Sequence, residues 1–252
     1  MTTEHVGGGA DPAKILRLLW RAGEDEVKPG PRPKFTLDDV IVAGIAVADR
    51  DGLAGLTMRA VADELGVGTM SLYRYVPGKS ELVDLMVDKL NTPGNFSGWQ
   101  RGEWRAAMED LAEGTWLLAT EHPWLLQVNQ SRPLLGPSAM EGVELILGAF
   151  EGLGLKDREK VVILTAIGHF VNGCAREAVL AQESAGQTGV SDEEFWKAQE
   201  PYMMRAIGEG RFPILGTLDD DAWATPPIEI MRAGLRALLD GFEQDMRKRG
   251  LA

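Results

Sequence analysis

The residues best suited to contact a nucleic acid lie between positions 69 and 76. This segment predicts a helix of about two turns from Thr69 to Val76, which a Pro-Gly pair ends. Leu72 and Val76 face inward, so the polar and aromatic side chains crowd the remaining surface. Hydroxyl and guanidinium groups donate hydrogen bonds to phosphates and to base edges. The outward-facing residues are Ser71, Tyr73, Arg74 and Tyr75.

A preceding helix and a tight turn hold this surface in place. Thr57 is suited to cap that helix, because its hydroxyl can accept a hydrogen bond from the free N–H groups of the first turn. Val61 and Leu65 face inward, and Gly66 stands where a helix commonly ends in a left-handed residue. Two short helices, a glycine-containing turn and a polar outer face on the second helix predict a helix-turn-helix for the DNA major groove.

One further helix on each side completes the predicted domain. The earlier one runs from Thr36 to Gly52, with Thr36 and Asp39 placed as a capping box. The later one runs from Gly78 to about Asn91. The earlier helix and the two short ones make a three-helix bundle, which is the minimum that holds the second short helix rigid.

Lys79 lies in the first turn of this last helix, where the helix dipole disfavours a cation. A phosphate at the helix start would resolve the conflict, because the free N–H groups and the ammonium both attract it. The alternative is a freely solvated lysine at a cost of a few tenths of a kcal/mol, roughly. The neighbouring motif favours the phosphate.

Composition describes an ordinary globular chain of 252 residues, 44% apolar and 25% charged. The single cysteine, Cys174, excludes an intramolecular disulfide and fits a reducing compartment. We find no secretory signal and no apolar stretch that could span a bilayer, so we expect a cytoplasmic protein that does not bind membranes.

The charge is distributed unevenly. The chain carries −12 in total, yet residues 28–80 hold seven Lys and Arg against six Asp and Glu, a net +1, which leaves −13 for the rest. A small basic patch is sufficient for phosphate contacts. The acidic remainder is expected to weaken non-specific DNA binding.

The chain divides into three predicted parts: an amino-terminal extension, residues 1–27; the DNA-binding domain, residues 28–91; and a larger domain, residues 92–252. Residues 11–21 form a short amphipathic helix expected to dock on the rest of the protein. The Pro-rich stretch 28–35 has two interpretations, a simple linker or an arm that contacts DNA through Arg32 and Lys34.

Residues 92–252 show only helical patterns, so the fold class is all-α. The last helix, from Pro227 to about Arg249, carries one continuous apolar stripe, which is ordinarily core. We expect it to pair with the long helix 157–182 as a four-helix seam of a homodimer, since DNA half-sites favour two-fold symmetry. The stripe comprises Ile228, Met231, Leu235, Leu238, Leu239, Phe242 and Met246.

The long helix is apolar nearly all round from Val161 to Val171, which predicts burial on most sides. A polar line then follows one side of it, at Thr165, His169, Asn172 and Arg176. Such a line either satisfies itself within the core or lines an apolar ligand pocket, and four members favour the pocket. Trp116 is one of several aromatic residues that could form its walls.

From Phe35 to Leu90 the sequence resembles the DNA-binding domain of TetR-family repressors, through the pattern LGV-x-x-x-x-LY-x-x-V-x-x-K at 65–79. The resemblance implies a repressor that binds double-stranded operator DNA. By position, the residues expected at bases or in the groove are Arg59, Thr69, Met70, Ser71 and Arg74. Those expected at phosphates are Thr57, Tyr73, Tyr75 and Lys79.

Residues 166–183 resemble, more weakly, the carboxy-terminal domain of the tetracycline repressors. Those repressors place a magnesium-binding histidine where Asn129 and Gln130 stand here, so we predict no metal and no cofactor. A neutral, partly aromatic small molecule is the expected effector. The expected effector contacts are Trp116, Asn129, Thr165, His169, Asn172 and Glu177.

The predicted function is a homodimeric bacterial repressor that binds a palindromic operator and leaves it when a small molecule binds. The alternative is a DNA-bound adaptor whose helical domain recruits a protein partner and has no inducer. An enzyme is disfavoured, because no nucleophile–base–acid set or metal-ligand spacing is visible.

Overall fold

The computed structural model describes residues 5–6, 12–20, 34–93, 98–219 and 221–251. Helices dominate these ranges, which confirms the all-α class, and one parallel pair of two-residue strands joins β1 to β2. In chain order the elements are β1 (His5–Val6), α1 (Pro12–Leu19), α2 (Leu37–Gly55), α3 (Met58–Glu64), α4 (Thr69–Leu72), α5 (Lys79–Leu90), α6 (Trp104–Glu121), a 3-10 turn (Pro123–Gln127), β2 (Val128–Asn129), α7 (Pro137–Ala149), α8 (Asp157–Thr188), α9 (Asp192–Gly208), a 3-10 turn (Leu215–Thr217) and α10 (Pro227–Lys248).

The predicted start and stop of the first long helix are confirmed. The Thr36 hydroxyl accepts from the Asp39 N–H at 3.2 Å, and the Asp39 carboxylate accepts from the Thr36 N–H at 2.7 Å. These bonds lower the pKa of Asp39, because they stabilise its charged form. Gly52, at φ +70°, interrupts the helical geometry of α2 near its end.

The turn between α3 and α4 is also as predicted. Gly66 adopts φ +66°, its N–H donates to the Asp63 carbonyl, and the Val67 N–H donates to the Ala62 carbonyl. These two bonds close the helix end in a Schellman arrangement.

The second short helix, predicted to run from Thr69 to Val76, is shorter: α4 ends at Leu72. The chain then turns tightly, with the Tyr75 N–H donating to the Leu72 carbonyl at 2.8 Å. Pro77 explains the early end, because a proline disfavours helical geometry at the residue before it.

Replacing Gly66 with alanine is expected to destabilise the protein by about 1–2 kcal/mol, since a Cβ is strained in the left-handed region. Gly68→Ala, two residues later at φ −74°, is the matched control and should change stability far less. Chemical denaturation of both variants measures the difference. Equal stabilities would contradict the structural role of Gly66.

The first hydrophobic core joins the helix-turn-helix to its neighbours on both sides. Val40, Val61 and Leu72 are fully buried in it with residues of α5. The amino-terminal helix α1 docks there through Ile15, 1% exposed, which confirms the predicted docking. Of the predicted arm 28–35, Arg32 lies outside the described residues, as do residues 94–97 at the predicted domain boundary.

The second core lies between α6, α8 and α10. Met231, Leu235 and Leu239 of α10 are buried in it, within a single protomer. The prediction that this stripe forms the dimer seam is therefore wrong, because α6 and α8 of the same chain already cover it. Gly234 sits against the Phe170 ring, where a Cβ would collide, so α8 and α10 approach closely.

An ion pair between α6 and α10 supports this core. Arg232 donates to both carboxylate oxygens of Glu113, at 2.6 and 2.8 Å. This pairing lowers the pKa of Glu113. Because the folded-state pKa is lowered, the pair contributes stability above the ordinary carboxyl pKa and loses it as the pH falls through the lowered value.

Helix α8 is longer than predicted. It continues through residues 183–188, which the sequence predicts to be a flexible loop, and ends at Gly189 with φ +68°. The segment holds no proline, and a glycine inside a helix costs only about 1 kcal/mol relative to alanine, so tertiary packing of the preceding turns carries the helix on.

One side of α8 remains open in the protomer. Val161 and Val162 are 50% and 52% exposed, so the prediction that this stretch is buried on most sides is wrong for a single chain. Within the described ranges, no helix is both long and apolar enough to cross a membrane.

Candidate functional site

Helix α4 and the turn after it present an exposed polar surface. Leu72 and Val76 are fully buried, which turns the side chains between them outward. Met70 is 78% exposed, an unusual position for a large apolar side chain, and Tyr73 and Arg74 are exposed beside it. A thymine methyl group is a suitable partner for an apolar side chain presented this way.

Two of the residues predicted at phosphates also hold the local structure. The Thr57 hydroxyl caps α3 by accepting from the Ala60 N–H at 3.0 Å. The Tyr75 hydroxyl donates to the Phe35 carbonyl at 3.0 Å, and the two rings lie 4.9 Å apart. Tyr75 thus ties the reading helix, α4, to the segment that precedes α2.

Lys79 has a structural partner that neither sequence interpretation included. Its ammonium donates to the carbonyl of Leu53 at 2.6 Å, which joins the start of α5 to the end of α2. An ammonium has three N–H donors, so two remain for a phosphate. The phosphate contact of Lys79 stays a prediction.

Acidic side chains near this surface are held by arginines. Glu64 pairs with Arg50 at 2.9 Å, and Asp63 lies 3.9 Å from Arg59. Arg74 forms no ion pair with any residue that the structure describes, so its guanidinium is available to a ligand. The surface therefore presents cationic and hydroxyl groups in the pattern that DNA contacts require.

The structure does not bring the six predicted effector contacts together. Thr165, His169 and Asn172 lie on the exposed side of α8, continuous with Val162. Arg176, the last member of the polar line, is half-buried and donates to the Leu126 carbonyl at 2.7 Å. Glu177 is exposed and Trp116 is half-buried against the second core. These contacts stay predictions.

A cavity of about 290 Å³ lies elsewhere, where α6, α7 and α8 meet the end of α5. Its size is near the lower end of the roughly 300–1,000 Å³ range of small-molecule sites. Among the described residues, none of its lining side chains is ionisable, and Asn91, Thr92 and Thr115 supply most of its polar atoms. Its apolar wall includes Leu90, Leu111, Leu118, Val143, Ile146 and Leu164.

A smaller cavity of about 60 Å³ adjoins it and shares Asn91, Pro133 and Ala139 with the larger one. Asn129 lines this smaller space and is the one predicted effector residue found at either cavity. Asp88 also lines it, and its carboxylate accepts from the Ala139 N–H at the start of α7.

The sequence analysis missed the large cavity, although two glycines mark it. Gly114 of α6 and Gly142 of α7 stand inside helices and line the space. A glycine inside a helix costs about 1 kcal/mol relative to alanine, so its presence indicates a packing or functional reason. No comparable signal identifies the leucines of the wall.

The two domains meet at Asp49. This carboxylate of α2 accepts from the indole N–H of Trp124 at 2.8 Å and lies 2.7 Å from Nδ1 of His122. Trp124 is 1% exposed and packs in the first core although it follows α6. The sequence carries no signal for this contact, because residues 49 and 124 are far apart along the chain.

Asp49→Ala is expected to destabilise the protein by about 1–3 kcal/mol, since it leaves the buried Trp124 N–H without an acceptor. Asp63→Ala is the matched control on α3, where the side chain is 72% exposed. We expect the control to stay within about 0.5 kcal/mol of the parent. Thermal denaturation of the two variants decides between them, and equal Tm values would contradict the coupling.

Burial raises the pKa of the Cys174 thiol. A cysteine with a raised pKa stays protonated near neutral pH and is a poor nucleophile.

Two family models match the chain. Residues 40–86 match "Bacterial regulatory proteins, tetR family", and residues 99–246 match "Tetracyclin repressor-like, C-terminal domain". The first range holds α3, α4 and most of α2 and α5, and the second holds both the large cavity and the second core. Regulators of this kind are not a class of enzymes.

Individual relatives agree with these models. The HTH-type transcriptional repressor DrrR1 of Streptomyces coeruleorubidus is 47% identical over 243 residues, which cover 96% of this chain and 89% of that protein. The class E tetracycline repressor protein of Escherichia coli is 27% identical over 185 residues, 69% of this chain and 80% of that protein. The structure of ActR from Streptomyces coelicolor in complex with actinorhodin is similar in fold, with a TM-score of 0.67, 24% identity and coverage of 85% of this chain and 99% of that one. With two matched domains and this extent of identity, the chain belongs to the TetR family of transcriptional repressors.

Proposed function

We propose that this repressor is ligand-responsive: it binds a palindromic operator as a homodimer and leaves it when a small molecule enters the large cavity. One observation carries the proposal. The cavity is lined by Leu90 and Asn91 at the end of α5, the helix that begins directly after the reading helix. Operator DNA places the protein in the cytoplasm. The nine residues predicted at DNA, from Thr57 to Lys79, are proposed as its contact surface.

Helix α5 is the mechanical link between the two sites. It has 12 residues, which correspond to about 18 Å of α-helix. Leu82, Val83 and Met86 bury its middle in the first core, so a displacement of its end carries the helix-turn-helix with it. A ligand that enlarges the space around Leu90 therefore favours a different spacing of the two reading helices than the operator does.

The cavity supports a neutral, largely apolar effector. A charged ligand would lose its hydration there without an ionised partner, which is costly. The hydroxyl and amide groups of Thr92, Thr115 and Asn91 can orient a ligand through a few polar atoms. The ActR structure holds actinorhodin, so actinorhodin is a reasonable first probe.

The reciprocity of two binding equilibria tests this proposal. Operator DNA is a duplex that the protein selects from a random-sequence pool. A compound that raises the Tm is then titrated with and without operator, and operator with and without compound. Thermodynamic linkage requires both affinities to fall by the same factor, about 5- to 150-fold for typical coupling. A compound that fills the cavity but leaves operator affinity unchanged would overturn the proposal.

The dimer is supported by apolar surface that a single protomer leaves open. Val161, Val162 and Ile230 are each at least half exposed on the outer faces of α8 and α10. Helix α9 and the segment after it add large exposed side chains, among them Trp196, 60% exposed. Exposed apolar surface of this extent marks an interface, and a second copy covers it with the two-fold symmetry of a palindrome.

Val162→Glu is the variant that tests this interface, by light scattering over a dilution series. We expect it to dissociate the dimer at concentrations where the parent remains dimeric, because the carboxylate would be buried without a partner. Val42→Glu, on an exposed face of α2 at 56% exposure, is the matched control and should stay dimeric. Equal dimer stability in both variants would place the interface elsewhere.

A further inference from the structure

The chain that precedes the helix-turn-helix contacts both domains. Helix α1 packs on α5, and Ile15 and Leu19 are buried in the first core at 1% and 4% exposure. Immediately after α1, the indole N–H of Trp20 donates to the carbonyl of Leu135, at 3.0 Å. Leu135 belongs to the loop between β2 and α7, in the other domain.

The same amino-terminal chain holds that loop at its other end. Strand β1 pairs in parallel with β2, with His5 opposite Val128 and Val6 opposite Asn129. Residues 128–135 are therefore fixed at both ends by chain that comes before residue 21. Both attachments use the backbone of the loop, so they do not depend on the loop's own side chains.

This loop is one wall of the cavities. Pro133 and Leu135 line the large cavity, and Asn129 lines the smaller one. Outward movement of the loop must break the bond from Trp20 or displace α1. Because α1 rests on α5, a displacement of α1 reaches the helix that carries the reading helix.

We propose that residues 5–6 and 12–20 form a strap in which Trp20 positions the loop 128–135 against the cavity and α1 transmits movement of the loop to α5. The proposal extends the proposed function, since it takes the cavity as the effector site. The strap gives the cavity a second connection to the DNA-binding domain, separate from the contact of the cavity with Leu90.

The strap is suited to open because its loop attachments are weak. Trp20 is 51% exposed, so solvent competes for its N–H and for the Leu135 carbonyl. A single hydrogen bond of this kind corresponds to about a 2- to 10-fold change in an opening equilibrium. The apolar anchor of α1 in the first core is the stronger one, so the loop releases before α1 does.

Hydrogen–deuterium exchange of the full-length protein, without any effector, tests the strap. Trp20→Phe keeps an aromatic ring and removes only the N–H donor, and deletion of residues 1–11 removes β1 and keeps α1. In each variant we expect exchange in residues 128–136 and in the last turn of α5 to quicken by about 2- to 10-fold. Trp223→Phe, at a tryptophan that is 80% exposed, is the matched control and should leave both regions unchanged.

Unchanged exchange in residues 128–136 in both variants would overturn the strap. Faster exchange in the loop alone, with α5 unaffected, would overturn transmission through α1. Faster exchange spread over the whole chain would assign Trp20 a general role in stability and overturn its positioning role. Failure of the effector proposal is seen separately, in the titrations of operator against compound, because this experiment contains no ligand.

Discussion

Arg74→Ala is expected to weaken operator binding by about 1–3 kcal/mol per half-site, roughly 5- to 150-fold. The guanidinium is exposed at the end of the reading helix, beside Met70 and Tyr73. If it binds a phosphate, the dependence of log K on log salt flattens by about one unit for each phosphate that the variant leaves without its cation, because fewer counterions are released. If it binds a guanine, the salt dependence stays and specificity at that base pair relaxes. Fluorescence anisotropy over a salt series distinguishes the two results.

Arg158→Ala is the matched control for this measurement. Arg158 is an exposed arginine at the start of α8, so the variant has the same change in net charge at a surface far along the chain from the reading helix. Tyr75→Phe is the informative companion, since Tyr75→Ala would also remove the ring that packs on Phe35. Affinity and salt slope equal to the parent in Arg74→Ala would contradict the assigned DNA surface.

Gly142→Phe is expected to abolish the response to effector and leave operator affinity unchanged. A Cβ at Gly142 meets only the Asn91 carbonyl, at 3.9 Å, so the backbone accepts the substitution and the ring fills the cavity. An effector at 100 times its Kd stabilises the parent by about 2.7 kcal/mol through mass action. The variant should lose this stabilisation entirely, which thermal denaturation with and without the compound measures.

Gly148→Phe supplies the control on the same helix. A Cβ there has no described atom within 4 Å, and the residue does not line the cavity. The control should therefore respond to the effector as the parent does. If Gly142→Phe also keeps the full response, the effector site lies elsewhere, and the exposed side of α8 with His169 becomes the next place to test.

The DNA-binding domain was predictable because its signals are local. Thr36 with Asp39, Thr57, and Gly66 each act within a few residues of their own position, through caps and a left-handed turn. The spacing of Leu72 and Val76 then decides which side of the reading helix faces outward. Only the length of α4 differs from the prediction, since Pro77 disfavours helical geometry at the residue before it.

The cavity and the dimer face were not predictable in the same way. A buried stripe such as Met231, Leu235 and Leu239 has the same pattern whether its cover is its own chain or a second one. The polar line of α8 is likewise equally compatible with a pocket and with an exposed face. Periodicity reports that a side is covered or polar and carries no information about the element that lies opposite.

The sequence by itself therefore determined the all-α class, the capped helix-turn-helix and the family, because these depend on short-range patterns. Tertiary structure alone decided which surfaces meet. It brought Asp49 to Trp124, Lys79 to the Leu53 carbonyl and Trp20 to the Leu135 carbonyl. Two of these three acceptors are backbone carbonyls, which every residue carries, and such contacts leave no trace in the residue type at the accepting position.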